Sequence, residues 1–84
     1  MSFCVYILQC CDGSYYTGYT KNLETRMQQH QSGKGARYTK AHRPQKIAYR
    51  EQFETRSAAM KREREIKKLS HQQKLALIAE QDKK

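Results

Sequence analysis

The chain has 84 residues and a formal net charge of +9, with 37% hydrophobic and 30% charged residues. A chain of this length buries only about 60% of its unfolded surface, which excludes a large cofactor-binding fold and a deeply embedded cleft. The charge is uneven: residues 1–20 carry −1, residues 21–50 carry +7 and residues 51–84 carry +3, and no Asp or Glu occurs from Thr25 to Arg50.

A single domain over 1–84 is expected, ordered over about 2–80, with a basic C-terminal tail at 81–84. The one-signed segment is interleaved with Tyr38, His42 and Tyr49. Such a segment points to a polyanionic partner, most simply nucleic acid; the plain alternative is a well-solvated basic loop. The cysteines, Cys4, Cys10 and Cys11, are odd in number and form no CxxC pair. They fit neither a disulfide framework nor a zinc ribbon, and read as small apolar strand residues. With no signal peptide and no apolar run of about 18 residues, a reduced, cytoplasmic chain without a membrane span is expected.

Residues 3–10 are apolar at nearly every position, as in a central strand buried on both faces. Asp12-Gly13 between two aromatic, β-branched runs signals a hairpin, so 14–20 form the second strand. Asn22 is a good N-cap, Glu24 suits the first-turn dipole and Gly33 suits C′, which predicts a helix over 23–32. The stretch SGKGARYTKAHRPQK reads as a loop and 47–53 as a third strand. Thr55 or Ser57 caps a second helix to about Lys68, and the Ser70/Gln73 capping box opens a third to about Glu80. The expected fold is of α/β composition, α+β type. It is a small three-stranded antiparallel sheet flanked by three helices, in the order β-β-α-β-α-α.

Polar residues break the structural pattern at a few places. Arg26 and His30 are four apart on the first helix and share a face with Leu23 and Met27. That is a polar stripe for a helix docking on a sheet; a snorkelling arginine and a rim histidine are the bland account. On the second helix, Glu63 lies four after Ala59 and three before Ile66, near the apolar stripe, whereas Glu65 points about 160° away. Six bases share this helix, so surface ion pairing is the simpler role for both acids. In the hairpin, a two-residue loop at Asp12-Gly13 would pair Tyr6 with Tyr19 and put Tyr16 on the opposite face. A three-residue loop at Cys11-Asp12-Gly13 would pair Tyr6 with Gly18 and put Tyr6 and Tyr16 on one side. A left-handed glycine after a type I turn favours the longer loop. Tyr15 and Tyr19 then point the other way, toward packing.

Val5-Tyr6-Ile7, Tyr16-Thr17-Gly18, Leu23-x-x-Arg26-x-x-x-His30 and Ala59-x-x-x-Glu63, in this order, resemble the motifs of the GIY-YIG endonuclease superfamily. The loop HQSGKGARYT looks like its small stand-alone bacterial branch. The chain departs from the usual pattern in both triplets, Cys4-Val5-Tyr6 in place of Gly-Ile-Tyr and Tyr16-Thr17-Gly18 in place of Tyr-Ile-Gly, and at two further points. Tyr19 stands where many members carry lysine, and no asparagine follows Glu63. The resemblance implies an endonuclease that hydrolyses phosphodiester bonds with one divalent ion, Mg²⁺ or Mn²⁺, held by Glu63. Arg26 would clamp the phosphate. Tyr6 and Tyr16 would flank the attacking water, one as base or as positioning donor, with His30 as a possible proton acceptor and Gly18 permitting close approach. A tyrosine base, with a free pKa of about 10, needs positive charge nearby to lower it. Nucleic acid, DNA foremost, would lie on Lys34, Arg37, Lys40, Arg43 and Lys46. No small-molecule cofactor is expected, and a monomer is the default. A catalytically weak or inactive nucleic-acid-binding module using the basic 34–50 loop is the alternative reading, and a protein-interaction domain a third.

Overall fold

The computed structural model describes residues 2–32 and 42–82. Among these, the elements run β1 (Phe3–Cys10), β2 (Tyr15–Thr20), α1 (Leu23–Gln31), β3 (Pro44–Phe53), α2 (Arg56–Lys67) and α3 (His71–Asp82). The strands form one antiparallel sheet in the order β2-β1-β3, so the apolar first strand is central. No helix of the described residues is long and apolar enough to cross a membrane.

The hairpin settles the register. Tyr6 pairs with Gly18 and Leu8 with Tyr16. The Gly13 amide donates to the Cys10 carbonyl, 3.0 Å, and Gly13 sits at φ +84°, where a side chain would be strained. This is the three-residue loop. Asp12 stiffens it by accepting from both the amide and the hydroxyl of Ser14. Cys4 and Cys10 are buried strand residues as expected, but Cys11 is exposed in this turn, because the odd loop takes it out of the ladder.

Alternation along β1 divides the interior in two. Val5 and Ile7 face α2 and α3 and pack with Tyr49, Ala59 and Ile66, with Phe3, Tyr15, Tyr19, Leu77 and Ile78 around them. Cys4, Tyr6 and Leu8 face α1 and pack with Leu23, joined by Tyr16, Met27 and Ile47.

The helix signals hold. Asn22 Oδ1 accepts from the Thr25 amide and Thr55 from the Ala58 amide. Ser70 and Gln73 close a reciprocal capping box at 2.8 and 3.2 Å. Helix α1 ends at Gln31 with Ser32 as C-cap, and Gly33 lies outside the described residues.

Strand β3 starts three residues earlier than expected, at Pro44. Two register irregularities, between Ile7 and Leu8 and between Gln9 and Cys10, carry pairing back to Cys10–Pro44. Proline is tolerated there because it is the first residue of an edge strand and has no amide to give. Farther along that free edge, the Gln81 side chain takes the place of a neighbour. Its Oε1 accepts from the Arg50 amide, 3.1 Å, and its Nε2 donates to the Arg50 carbonyl, 2.6 Å.

Candidate active site

A pocket of about 340 Å³ opens at the β2 edge, lined by Tyr6, Tyr16, Gly18, Tyr19, Thr20, Arg26 and Glu63. Tyr6 and Tyr16 reach it from the α1 face and Arg26 from α1 itself. Glu63 comes from α2, which packs on the opposite face of the sheet, and so enters past the edge strand. Gly18 makes the meeting possible. A Cβ built on it would lie 2.7 Å from Tyr6 Oη, 2.9 Å from Tyr6 Cζ and 3.3 Å from Tyr16 Cε2. Its role here is the space it leaves beside its cross-strand partner, since its φ is ordinary.

His30 forms the floor. It is 1% exposed, with its Nε2 3.1 Å from Tyr6 Oη, and its ring lies 5.2 Å from that of Tyr16. Burial, and then the Arg26 charge, hold the imidazole below its ordinary pKa, which favours the neutral ring. Burial likewise pushes Tyr6 up to about 12, overcoming the opposing pull of Arg26, and moves Tyr16 upward. Arg26 alone therefore does not supply the lowering that a tyrosine base needs. A neutral imidazole brings no positive charge, and desolvation of the ring outweighs one guanidinium. Both phenols are therefore neutral at physiological pH.

The Glu63 side chain is 17% exposed, against 54% for Glu65, so Glu63 is the acid that turns inward, as the helical stripe suggested. Lys67 Nζ lies 3.7 Å from its Oε1. Glu63 is the carboxylate of the pocket lining, and no group of three or more His, Cys, Asp or Glu side chains among the described residues could hold a metal ion. One carboxylate in a solvent-open pocket suits a hard divalent ion that keeps most of its water and takes substrate oxygens. It does not suit a closed zinc site with four protein ligands.

The structure thus brings Tyr6, Tyr16, Gly18, Arg26 and Glu63 around one pocket, with His30 behind it. Lys34, Arg37 and Lys40 lie outside the described residues. Arg43 and Lys46 are exposed at the turn end of the sheet, Arg43 receiving the Cys11 amide on its carbonyl and Lys46 pairing with Gln9. Two pocket residues were missed, Tyr19 and Thr20. Tyr19 packs on the α2 face as alternation requires, yet it also lines the pocket, and its Oη accepts from Arg56 Nε at 3.2 Å. An edge strand lets a side chain from its far face border the same opening; alternation alone gives no sign of this.

The GIY-YIG catalytic domain family matches residues 2–76, nearly the whole of this small α+β domain. The chain belongs to the GIY-YIG family. It is 54% identical over 76 residues to UPF0213 protein SSP2268 of Staphylococcus saprophyticus, covering 90% of this chain and 93% of that one. It is 55% identical over the same shares to UPF0213 protein SH2523 of Staphylococcus haemolyticus. Two solution NMR structures share the fold. The UPF0213 protein BH0048 of Bacillus halodurans superposes with TM-score 0.60 at 43% identity, over 94% of this chain and 84% of that one. The E. faecalis protein EF2693 superposes with TM-score 0.68 at 42% identity, over 100% and 90%.

Proposed function

We propose that the chain hydrolyses phosphodiester bonds in nucleic acid, DNA foremost, with one bound Mg²⁺ or Mn²⁺. The carrying observation is the convergence at Gly18. Two neutral phenols, a guanidinium and a carboxylate share one opening, with a buried imidazole in hydrogen-bond contact with one phenol. Arg26 has no ion-pair partner among the described residues; its Nη1 donates to Gln29. It is the group to hold the scissile phosphate and the charge that grows on it. With His30 neutral and its proton on Nδ1, Tyr6 would donate its phenolic hydrogen to Nε2 and turn its oxygen lone pairs toward the pocket. A water bonded there would give its proton to Tyr6 as the phenolic proton passes to His30; the hydroxide adds to phosphorus, the P–O bond to the sugar oxygen breaks, and that oxygen takes a proton from solvent, so no free phenolate is needed. Tyr16 orients the same water. Glu63 would hold the divalent ion, which supplies Lewis-acid stabilisation of the phosphate oxygens when bound.

The weaker reading, a binding module without chemistry, is favoured by the Lys67–Glu63 contact, which puts an ammonium where a cation would bind. One assay separates them. Plasmid, single-stranded and branched DNA are incubated with Mg²⁺ or Mn²⁺, beside Glu63→Ala. Metal-dependent cutting that Glu63→Ala abolishes is the expected result. Tight, salt-sensitive binding with no cutting in either metal overturns the nuclease reading.

A further inference from the structure

We infer that Arg56, held by Tyr19, is a second phosphate-binding group, and that the polynucleotide backbone crosses the β2 edge from Arg26 to Arg56. The proposal rests on the nuclease reading for the ligand of the pocket, and adds its path. Tyr16 and Tyr19 leave β2 on opposite faces, yet both line the opening, because Gly18 between them has no side chain to close it. Arg26 marks one end of this passage. At the other, Arg56 Nε donates to the Tyr19 phenol at 3.2 Å, which leaves its two terminal nitrogens free of that bond and directed by it. On the same helix Arg62 pairs with Glu51 and Glu65 and Lys67 with Glu63, while Lys61 and Arg64 also lack an ion pair among the described residues but, unlike Arg56, have no phenol there that orients them. Arg56 has no ion-pair partner among the described residues, although it is exposed and beside a pocket. An oriented guanidinium with open donors suits a phosphate oxygen pair. A phenol hydroxyl orients it without the negative charge that a carboxylate would bring.

A strand that contacts Arg26 with one phosphate and Arg56 with another carries at least one phosphate besides the scissile one. The ligand is therefore an oligonucleotide strand, and a dinucleotide with a single phosphodiester cannot use both groups.

The test is binding, so that it stands apart from catalysis. A fluorescein-labelled single-stranded DNA dodecamer is titrated by anisotropy against the Glu63→Gln chain in EDTA over a range of NaCl. Adding Arg56→Ala should weaken binding and lower the slope of log affinity against log salt by about 0.7, one phosphate contact on a single strand. Tyr19→Phe and Arg56→Lys keep the charge nearby but remove the orienting bond, and should fall between. Arg64→Ala, which removes another exposed base of the same helix, is the control for diffuse charge. An Arg56→Ala effect no larger than that of Arg64→Ala, or one that Tyr19→Phe does not partly reproduce, overturns the proposal. If Arg56→Ala behaves as stated while no cleavage occurs with Mg²⁺ or Mn²⁺, the phosphate site stands and the nuclease reading falls. If the dodecamer is not bound at low salt, both fall.

Discussion

The two faces of the sheet are built differently. On one, Val5, Ile7, Ala59 and Ile66 make an apolar contact under two helices, with Leu77 and Ile78 adding to it. On the other, a single helix covers Cys4, Tyr6 and Leu8 with the stripe Leu23, Arg26, Met27 and His30, and the largest buried groups include a phenol and an imidazole. An 84-residue chain has a total stability of roughly 4–12 kcal/mol at usual per-residue values, so it cannot spend both faces on packing and also have a site, nor both on a site and also fold. It separates the tasks across one strand, residue by residue, and joins them again at the Gly18 edge.

That division is testable by substitution. Ile66→Ala on the packed face should cost about 2–5 kcal/mol, which leaves the fold marginal at best. Urea unfolding reads it, and the specific activity of the remaining folded fraction should be near that of wild type. Arg26→Ala on the other face should reverse the pattern, with cleavage down about 10²–10³-fold and the urea midpoint little changed. Equal losses of stability from the two would erase the distinction between the faces.

Gly18→Ala sharpens it at the boundary. The new methyl would meet Tyr6 Oη, so the ring must leave His30. A displacement on the order of 1 Å costs about 100-fold in rate. The downfield exchange and titration behaviour of the His30 ring, followed by NMR, should change with it.

A smaller effect is pH-dependent. His30 has a folded pKa below its unfolded value, so the unfolded chain binds the proton first as pH falls. The stability contributed by neutral His30 is complete above about pH 6.5 and is lost as pH falls below that toward the folded pKa. Cleavage should lose its proton acceptor on the same side, with an acid limb displaced below about 6.5. His30→Gln should flatten the thermal-melting dependence in that window; an unchanged slope would remove His30 as its source.

The smallest effect is a gain. Thr17 is buried on the packed face, and its Oγ1 has no hydrogen-bond partner among the described residues. Replacing the hydroxyl by a methyl in Thr17→Val should stabilise the fold by about 1 kcal/mol in urea unfolding, without touching the pocket.

Much of this was legible in the sequence because local rules carried it. Gly13 selected the odd loop, and the loop fixed the register that puts Tyr6 beside Gly18 and on the side of Tyr16. Ala59, Glu63 and Ile66 favoured Glu63 as the inward acid, and Asn22 and the Ser70/Gln73 box marked helix starts, while Thr55 and Ser57 both stood open as the α2 cap, which is Thr55. What stayed hidden depends on distant neighbours. The β3 start at Pro44 rests on two irregularities against β1, and the double duty of Tyr19 depends on its being at an edge. The balance of burial against Arg26 at Tyr6 needs the folded environment, since composition holds no measure of desolvation.

Gln81 has a consequence for anyone handling the protein. For one residue its amide imitates a fourth strand, closing the Arg50 amide and carbonyl that the β3 edge would otherwise offer to water or to another chain. A clone shortened before Gln81, or a fusion that pulls the end of α3 away, would therefore act first on self-association and only then on fold or chemistry. Two copies could pair edge to edge along β3, and a loss of activity in such a preparation would report on sample state instead of the pocket.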